Sequence, residues 1–151
     1  MDTNISVKKI EEVAMEFDKT IEQKDKEKIP LFFTKDCEIE LLGLKISGED
    51  GIKRWITWLY KYISKIKLEP ITIMVKDNIF FEEFVVNATL NNGVRVKSKQ
   101  SEVLVYEDYK IKSLRLYFDR LQLSQSLFKN PVTNFILNKI ISKSIEDLKT
   151  R

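Results

Sequence analysis

The chain has 151 residues, of which 43% are hydrophobic, so it is long and apolar enough to fold as one domain around one sizeable core. Its 26 basic and 23 acidic side chains nearly balance at a net charge of +3, which argues against a nucleic-acid-binding surface. It contains no histidine and one cysteine, Cys37, which excludes an intrachain disulfide and the usual Ser/His and Cys/His nucleophile pairs.

Helices dominate the predicted elements of the first seventy residues. Apolar residues at helical spacing predict a first helix over residues 7–24, and a proline suits the first turn of a short helix over residues 30–33. Residues 34–36 are predicted as a turn, and the alternating segment 37–42 as a short strand. A weak capping box then opens a third helix, which we expect to run over residues 47–70 because nothing interrupts its apolar stripe before Pro70.

Beyond Pro70 the apolar residues follow a period of two. This pattern predicts four consecutive strands over residues 71–76, 79–90, 94–106 and 110–119. Their connections are short, and the second contains Asn-Gly, a strong hairpin signal. We therefore expect an antiparallel meander.

The C-terminal segment is predicted to be helical on both sides of Asn130-Pro131. Asp119, with Gln122 three residues later, is typical of a helix N-cap, and that helix is expected to end near residue 129. Residues 132–148 form a second helix with a wide apolar face. We expect this helix to dock on the body of the chain or on a dimer mate; the alternatives are a membrane surface or another protein.

The order of these elements resembles the cone-shaped α+β fold of the NTF2-like superfamily, and more narrowly its SnoaL-like branch. The resemblance rests on FFTKDCEI at 32–39, GEDGI at 48–52, YKI at 109–111 and YFD at 117–119. It covers about residues 7–127 of a single domain, 1–151. It implies N-terminal helices packed on a highly curved, mostly antiparallel sheet. The extra C-terminal helix, at about 131–149, is an extension beyond the resemblance.

The resemblance also bears on catalysis. Members related to limonene epoxide hydrolase carry an Arg-x-Asp pair on the third strand and an acid on the last strand. Matching this chain without gaps from the Gly93 hairpin places Glu83 and Val85 at the pair and Leu116 at the acid. SnoaL-type cyclases use a pocket Asp with a His, and this chain has no His. The known catalytic constellations of the family are therefore not expected here.

Three residues are candidates for catalysis from the sequence. Glu83 lies among apolar strand residues, where a buried carboxylate would have a raised pKa, although the pattern leaves open whether Glu82 or Glu83 points inward. The alternative for Glu83 is a solvated or ion-paired position. Asp119 could be a pocket acid, but Gln122 favours the helix cap. Tyr117 could face a pocket or a dimer surface.

Apolar and aromatic residues from several elements are candidates for lining a ligand pocket, with ordinary core packing as the alternative. They are Phe17, Trp55, Trp58, Leu59, Tyr62, Val85, Leu104, Leu114 and Leu116.

Together these patterns predict a cytoplasmic protein that binds a small apolar or amphipathic molecule, without a metal, another cofactor or a membrane span. A metal is not expected because no cluster of ligands is evident in the sequence. The alternatives are a histidine-free isomerase, cyclase or hydrolase, working through Glu83 or Asp119 with a tyrosine, and a homodimeric protein-interaction module. We expect a homodimer through the outer face of the sheet because apolar residues occupy both faces of the strands.

Overall fold

The computed structural model describes residues 6–127 and 130–149. Its helices are α1 (Val7–Gln23), α2 (Gly48–Tyr60), α3 (Arg120–Leu127), α4 (Pro131–Ser144) and α5 (Glu146–Lys149), with a 3-10 helix at Ile29–Phe32. Its strands are β1 (Phe33–Leu41), β2 (Leu44–Ser47), β3 (Ile63–Lys76), β4 (Ile79–Leu90), β5 (Arg95–Glu107) and β6 (Lys110–Phe118).

All six described strands belong to one sheet, in the order β2-β1-β6-β5-β4-β3. Strands β3 to β6 form the predicted antiparallel meander, and β1 joins β6 in parallel. Register shifts, which bend strands, occur in β3 and in the pairings of β6 with β1 and β5. The α+β class and the mostly antiparallel sheet are confirmed.

Helices α1 and α2 cover one face of the sheet, which we call the inner face. The apolar stripe of α1 is buried there, as the sequence predicts. The ring of Phe17 lies 5.6 Å from that of Phe33 and 6.3 Å from that of Trp55, centroid to centroid, which ties α1 to β1 and α2. Each large side chain buried in this layer contributes about 1.5–3 kcal/mol to folding.

The pleat of the central strands decides which side chains reach the inner face. In β4 the buried positions are Phe80, Glu82 and Phe84, whereas Glu83 lies on the opposite, outer face. In β5 the alternate residues from Val96 to Tyr106 point inward. Two acidic side chains are therefore carried into the interior by strand register.

The third helix is shorter than predicted, and the expectation that it continues to Pro70 is wrong. It ends at Tyr60, and β3 begins at Ile63 and pairs with Leu90 of β4. Ile63 and Ile66 fit helical spacing, but this segment also alternates in the strand pattern, and pairing with β4 decides between them. Pro70 is tolerated because β3 is an edge strand.

The N-terminal part of the sheet also differs from the prediction. Residues 34–36, predicted as a turn, lie within β1, where an irregular register with β6 accommodates them. The unpredicted strand β2 pairs with β1 through a two-residue turn. Leu42 and Gly43 in this turn have φ of 55° and 74°, the left-handed conformation that a tight hairpin of this kind requires.

Helices form on both sides of Asn130-Pro131, but the prediction of one continuous helix over residues 132–148 is wrong, because Ile145 interrupts it and separates α4 from α5. The predicted end of the preceding helix near residue 129 lies outside the described residues.

Little of the apolar surface of α4 is covered. Helix α4 packs against α3, and Asn130 caps it by accepting a hydrogen bond from the Val132 backbone N–H at 2.9 Å. Phe135 is 68% exposed and Ile136 is 53% exposed. The packing of α4 on its own chain therefore leaves its apolar face exposed. Docking of this face on a dimer mate stays a prediction. No helix in the described part of the chain is long and apolar enough to cross a bilayer.

Candidate functional site

A cavity of about 240 Å³ opens between the inner face of the sheet, α1 and α2. Strands β3 to β6 supply its floor, and Leu123 and Leu127 of α3 close one side. Seven of the residues expected to bind a ligand line it: Phe17, Trp55, Trp58, Leu59, Tyr62, Leu114 and Leu116.

The other two expected ligand residues lie elsewhere. Among the described residues of β4, Val86 rather than Val85 lines the cavity, because the pleat turns Val85 to the outer face. Leu104 is completely buried in the core and is not part of the cavity wall.

The cavity ends on acidic side chains. Asp18 of α1 and Glu102 of β5 line it, and Glu82 of β4 is the direct cross-strand partner of Glu102. Glu82 is 1% exposed and Glu102 is 6% exposed. One carboxylate oxygen from each of the three lies within 4.8 Å of the others. We call Asp18, Glu82 and Glu102 the acid cluster.

Burial makes these three groups unusually weak acids. It raises the pKa of Asp18 to about 10, aided by the neighbouring charges of Glu102 and Glu82, and the pKa of Glu102 to about 8. The pKa of Glu82 is also raised by burial, although a hydrogen bond from Asp18 opposes the shift. At pH 7, Asp18 and most of Glu102 therefore carry protons.

No family model and no curated protein matches the sequence. Solved structures do match the fold. The epoxide hydrolase/cyclase-like enzyme SalBIII, with a role in pyran ring formation in the polyether salinomycin, is 19% identical, with a TM-score of 0.68 over 76% of this chain and 94% of that one. An NTF2-like protein from Burkholderia pseudomallei is 16% identical, with a TM-score of 0.66 over 74% of this chain and 91% of that one.

A protein with a ketosteroid isomerase-like fold from Catenulispora acidiphila, in complex with trimethylamine, is 13% identical, with a TM-score of 0.69 over 78% of this chain and 93% of that one. The chain has the NTF2-like fold. The cone-shaped fold expected from the sequence is thereby confirmed. Identities this low concern the fold, so activity has to be argued from the site.

Within this NTF2-like fold, the three residues proposed for catalysis lie outside the cavity. Glu83 is on the outer face, where its carboxylate pairs with Lys99 Nζ at 3.2 Å. Tyr117 is on the same face, in the same cross-strand row, and is 51% exposed. Asp119 caps α3, accepting a hydrogen bond from the Leu121 backbone N–H at 2.9 Å.

The sequence analysis missed Asp18 and Glu102 and left open whether Glu82 or Glu83 points inward, although both missed acids carried a signal. Asp18 lies one turn after Ala14, at the edge of the buried stripe of α1. Glu102 is in phase with Leu104 and Tyr106, two inward-pointing strand residues. The available indication was a charged residue at a position where the pattern of the helix or strand predicts a buried apolar one.

The sequence-based expectation that no metal-ligand cluster exists has to be corrected, because folding brings three carboxylates together. Each could offer one oxygen to a cation. Their neighbours in the sheet are apolar, however: Leu116 of β6 pairs with Glu102, and Ile73 of β3 pairs with Glu82. With one oxygen from each acid, Ca²⁺, which prefers six to eight oxygen ligands, would need at least three more, and these sheet neighbours supply none.

Proposed function

We propose that this protein binds a small, mostly apolar molecule in the cavity, with one polar group of that molecule held by the acid cluster. The observation that carries the proposal is the continuity of the cavity's apolar wall with Asp18 and Glu102. Ligand sites are characteristically apolar with a few convergent polar groups whose pKa values are perturbed. This cavity combines an apolar wall, convergent polar groups and perturbed pKa values.

The walls of the cavity favour a compact ligand with a ring or a branched apolar body. At about 240 Å³ the cavity is smaller than sites that take drug-sized molecules. Trp58 and Tyr62 line it and are 42% and 59% exposed, which places them at its open side. Leu123 and Leu127 of α3 would cover the bound molecule.

Proteins of similar fold support a small-molecule ligand. SalBIII is an epoxide hydrolase/cyclase-like enzyme, and the protein from Catenulispora acidiphila was solved with trimethylamine. We carry over from them only that this fold can hold a small molecule. The chemistry of the ligand is argued below from the acid cluster.

Val86→Phe tests the proposal by filling the cavity. Val86 lines the cavity and is half-buried, so a phenyl group there should occupy ligand space. We expect it to weaken the binding of 1-adamantanol, a compact neutral molecule, by about tenfold or more, measured by isothermal titration calorimetry.

The matched control is Val85→Phe, the same substitution one residue earlier on the outer face. It should leave the affinity for 1-adamantanol within about twofold of the wild type. Equal effects of both variants, or no binding by the wild type, would refute the proposed site. Circular dichroism melting curves check that each variant is folded, since overpacking costs about 1–3 kcal/mol.

Acid–base catalysis is a second candidate function, and the acid cluster is the observation that favours it. A carboxyl group held neutral at pH 7 can donate a hydrogen bond or a proton to a substrate, as Asp18 is placed to do. Asp18→Asn would keep the shape and a hydrogen-bond donor but remove the proton. Loss of turnover with retained binding of the same ligand would assign this function.

A further inference from the structure

Apart from the hydrogen bond between Asp18 and Glu82, the acid cluster lacks the partners that buried acids normally have. In the described part of the chain, Asp18 Oδ2, Glu82 Oε1 and Glu102 Oε1 are buried without a hydrogen-bond partner. No lysine or arginine among the described residues forms a salt bridge with any of the three acids. Leaving buried polar atoms unpaired destabilises the folded chain, so a partner at this site would be strongly favoured.

A second, independent observation points to the same place. Tyr106, also on the inner face of β5, is 1% exposed, and its hydroxyl has no partner in the described part of the chain. Burial raises the pKa of this hydroxyl, and the charges of Glu102 and Asp18 add to the shift. Asp18 and Glu102 line the cavity, and Glu82 and Tyr106 lie in the buried layer on the same face of the sheet.

We propose that the polar end of the cavity binds a protonated amine carried on a compact apolar body, and that binding expels a proton from the acid cluster to solvent. This rests on the proposed function, because it names the class of molecule that the cavity takes. An ammonium group has three N–H donors, which matches the three unpaired carboxyl oxygens.

The cavity walls favour an organic ammonium over a metal ion. Trp55, Trp58 and Phe17 line the cavity, and aromatic faces attract organic cations. The apolar body of such a molecule would occupy the part of the cavity where a hydrated metal ion would be surrounded by carbon atoms. With one oxygen from each acid, Ca²⁺ or Mg²⁺ would need at least three further oxygen ligands, and the sheet neighbours of the cluster are apolar.

The sign of the pH dependence follows from the groups around the site. Helix α1 contributes Asp18 and Glu22, β4 contributes Glu82, and β5 contributes Glu102 and Tyr106, while β3 and β6 present apolar residues. Asp18, Glu82, Glu102 and Tyr106 have raised pKa values and hold their protons more tightly in the absence of a cation. Glu22 is paired with Lys67 Nζ of β3 at 3.0 Å.

A bound ammonium lowers the pKa of a neighbouring carboxyl by about 1–3 units. Glu102, whose pKa is about 8 without a ligand, then loses its proton near pH 7. Because a proton leaves as the amine binds, the affinity for an amine should rise with pH between 6 and 8. A ligand that instead accepts a hydrogen bond from a neutral carboxyl would bind more weakly as the pH rises.

The experiment compares 1-aminoadamantane with 1-adamantanol, which share an apolar body and differ in charge. Calorimetric titrations of the full chain at pH 6, 7 and 8, in two buffers of different ionisation enthalpy, give affinities and the number of protons released. We expect the amine to bind about tenfold more tightly than the alcohol at pH 7, with release of about one proton and affinity that increases up to about tenfold from pH 6 to 8.

Two variants test the assignment to the acid cluster. Glu102→Gln is isosteric and removes the ionisable group, so it should cost the amine about tenfold in affinity, abolish proton release and leave the alcohol unaffected. Glu83→Gln is the matched change on the outer face, beside Lys99, and it should change the affinity for neither ligand.

Any of four outcomes overturns the proposal. Equal binding of amine and alcohol, or affinity that falls as the pH rises, would mean that the cluster binds a hydrogen-bond acceptor, while the cavity remains a ligand site if Val86→Phe still blocks it. Displacement of the amine by millimolar Ca²⁺ would identify a metal site instead. Binding of neither molecule to the wild type would end this proposal and the proposed function together.

Discussion

At the scale of single residues, the acid cluster destabilises the folded chain locally. Folding buries Glu82 and Glu102 side by side on adjacent strands, next to Asp18, without a compensating cation. Isolated charges at such a place would be far too costly, so the groups take up protons instead. The raised pKa values link this site to the stability of the whole chain.

The linkage predicts that the protein becomes less stable as the pH rises from about 5 to 8. Glu102 has a pKa near 4.5 when unfolded and about 8 when folded, so between these values the folded state holds a proton that the unfolded state has lost. That difference favours unfolding as pH rises. Glu102→Gln removes it and should raise the melting temperature at pH 8, by several degrees more than at pH 5.

Thermal unfolding of wild type, Glu102→Gln and Glu83→Gln at pH 5 and pH 8 checks this expectation. The outer-face variant serves as the control, because Glu83 is paired with Lys99 near the surface. Parallel behaviour of all three proteins would show that the acid cluster does not govern the pH dependence.

Which acids face the cavity could not be settled from the sequence because both phases of β4 are apolar. Phe80 and Phe84 keep Glu82 in a buried phase, and Phe81 and Val85 give Glu83 nearly the same surroundings. The structure selects Glu82 through its pairing with β5. The aromatic wall was predictable, since its residues follow helical spacing in α2 or the period of the strands.

At the scale of elements, the β4–β5 hairpin decides that pairing. The Asn-Gly signal predicts the turn, and the loop in the structure has the three residues, 91–93, that separate the two predicted strands, with Gly93 at a φ of 83°. The loop length pairs Leu90 with Val94 and so brings Glu82 opposite Glu102. A loop shorter by one residue would have shifted the register by one and sent one acid outward.

The range of the contacts that form each element explains why the meander was predictable from the sequence and the end of α2 was not. Four strands with short connections are a local pattern, which the sequence carries by itself. The start of β3 depends on a distant partner: Lys24 Nζ donates to the Ile63 carbonyl at 2.7 Å, and the Asn91 backbone N–H donates to the Tyr62 carbonyl at 2.9 Å. Such contacts are formed only in the folded chain.

Removing residues 130–151 tests the structural role of the C-terminal helices. Helix α3 has only eight residues and packs against α4, and its Leu123 and Leu127 cover the cavity. A helix this short is marginal alone, so the truncated protein should melt several degrees lower or aggregate, as differential scanning calorimetry would record.

A shorter truncation that removes residues 146–151, and with them α5, is the control and should melt like the wild type. Unchanged melting of the longer truncation, with lost binding to anionic lipid vesicles, would instead identify α4 as a membrane-surface element. If both properties survive, the helices are better explained as a site for another protein.

At the scale of the whole molecule, the outer face of the sheet remains partly uncovered. Met74, Phe81 and Val103 lie in one cross-strand row on this face, and Met74 is 58% exposed. Near this row, Ile79 is 42% exposed at the start of β4. Contiguous exposed apolar surface of this kind commonly marks an interaction site, which keeps the sequence-based prediction of a homodimer in place.

Met74→Glu should dissociate such a homodimer, because it places a charge at the β3 end of the apolar row that would be buried between two copies. Size-exclusion chromatography with light scattering at micromolar concentration should report a dimer for the wild type and a monomer for this variant. Leu31→Glu is the matched control: Leu31 is 67% exposed on the 3-10 helix, away from the sheet face, and its variant should remain dimeric. A monomeric wild type, or a Met74→Glu protein that stays dimeric, would show that this face is not the interface.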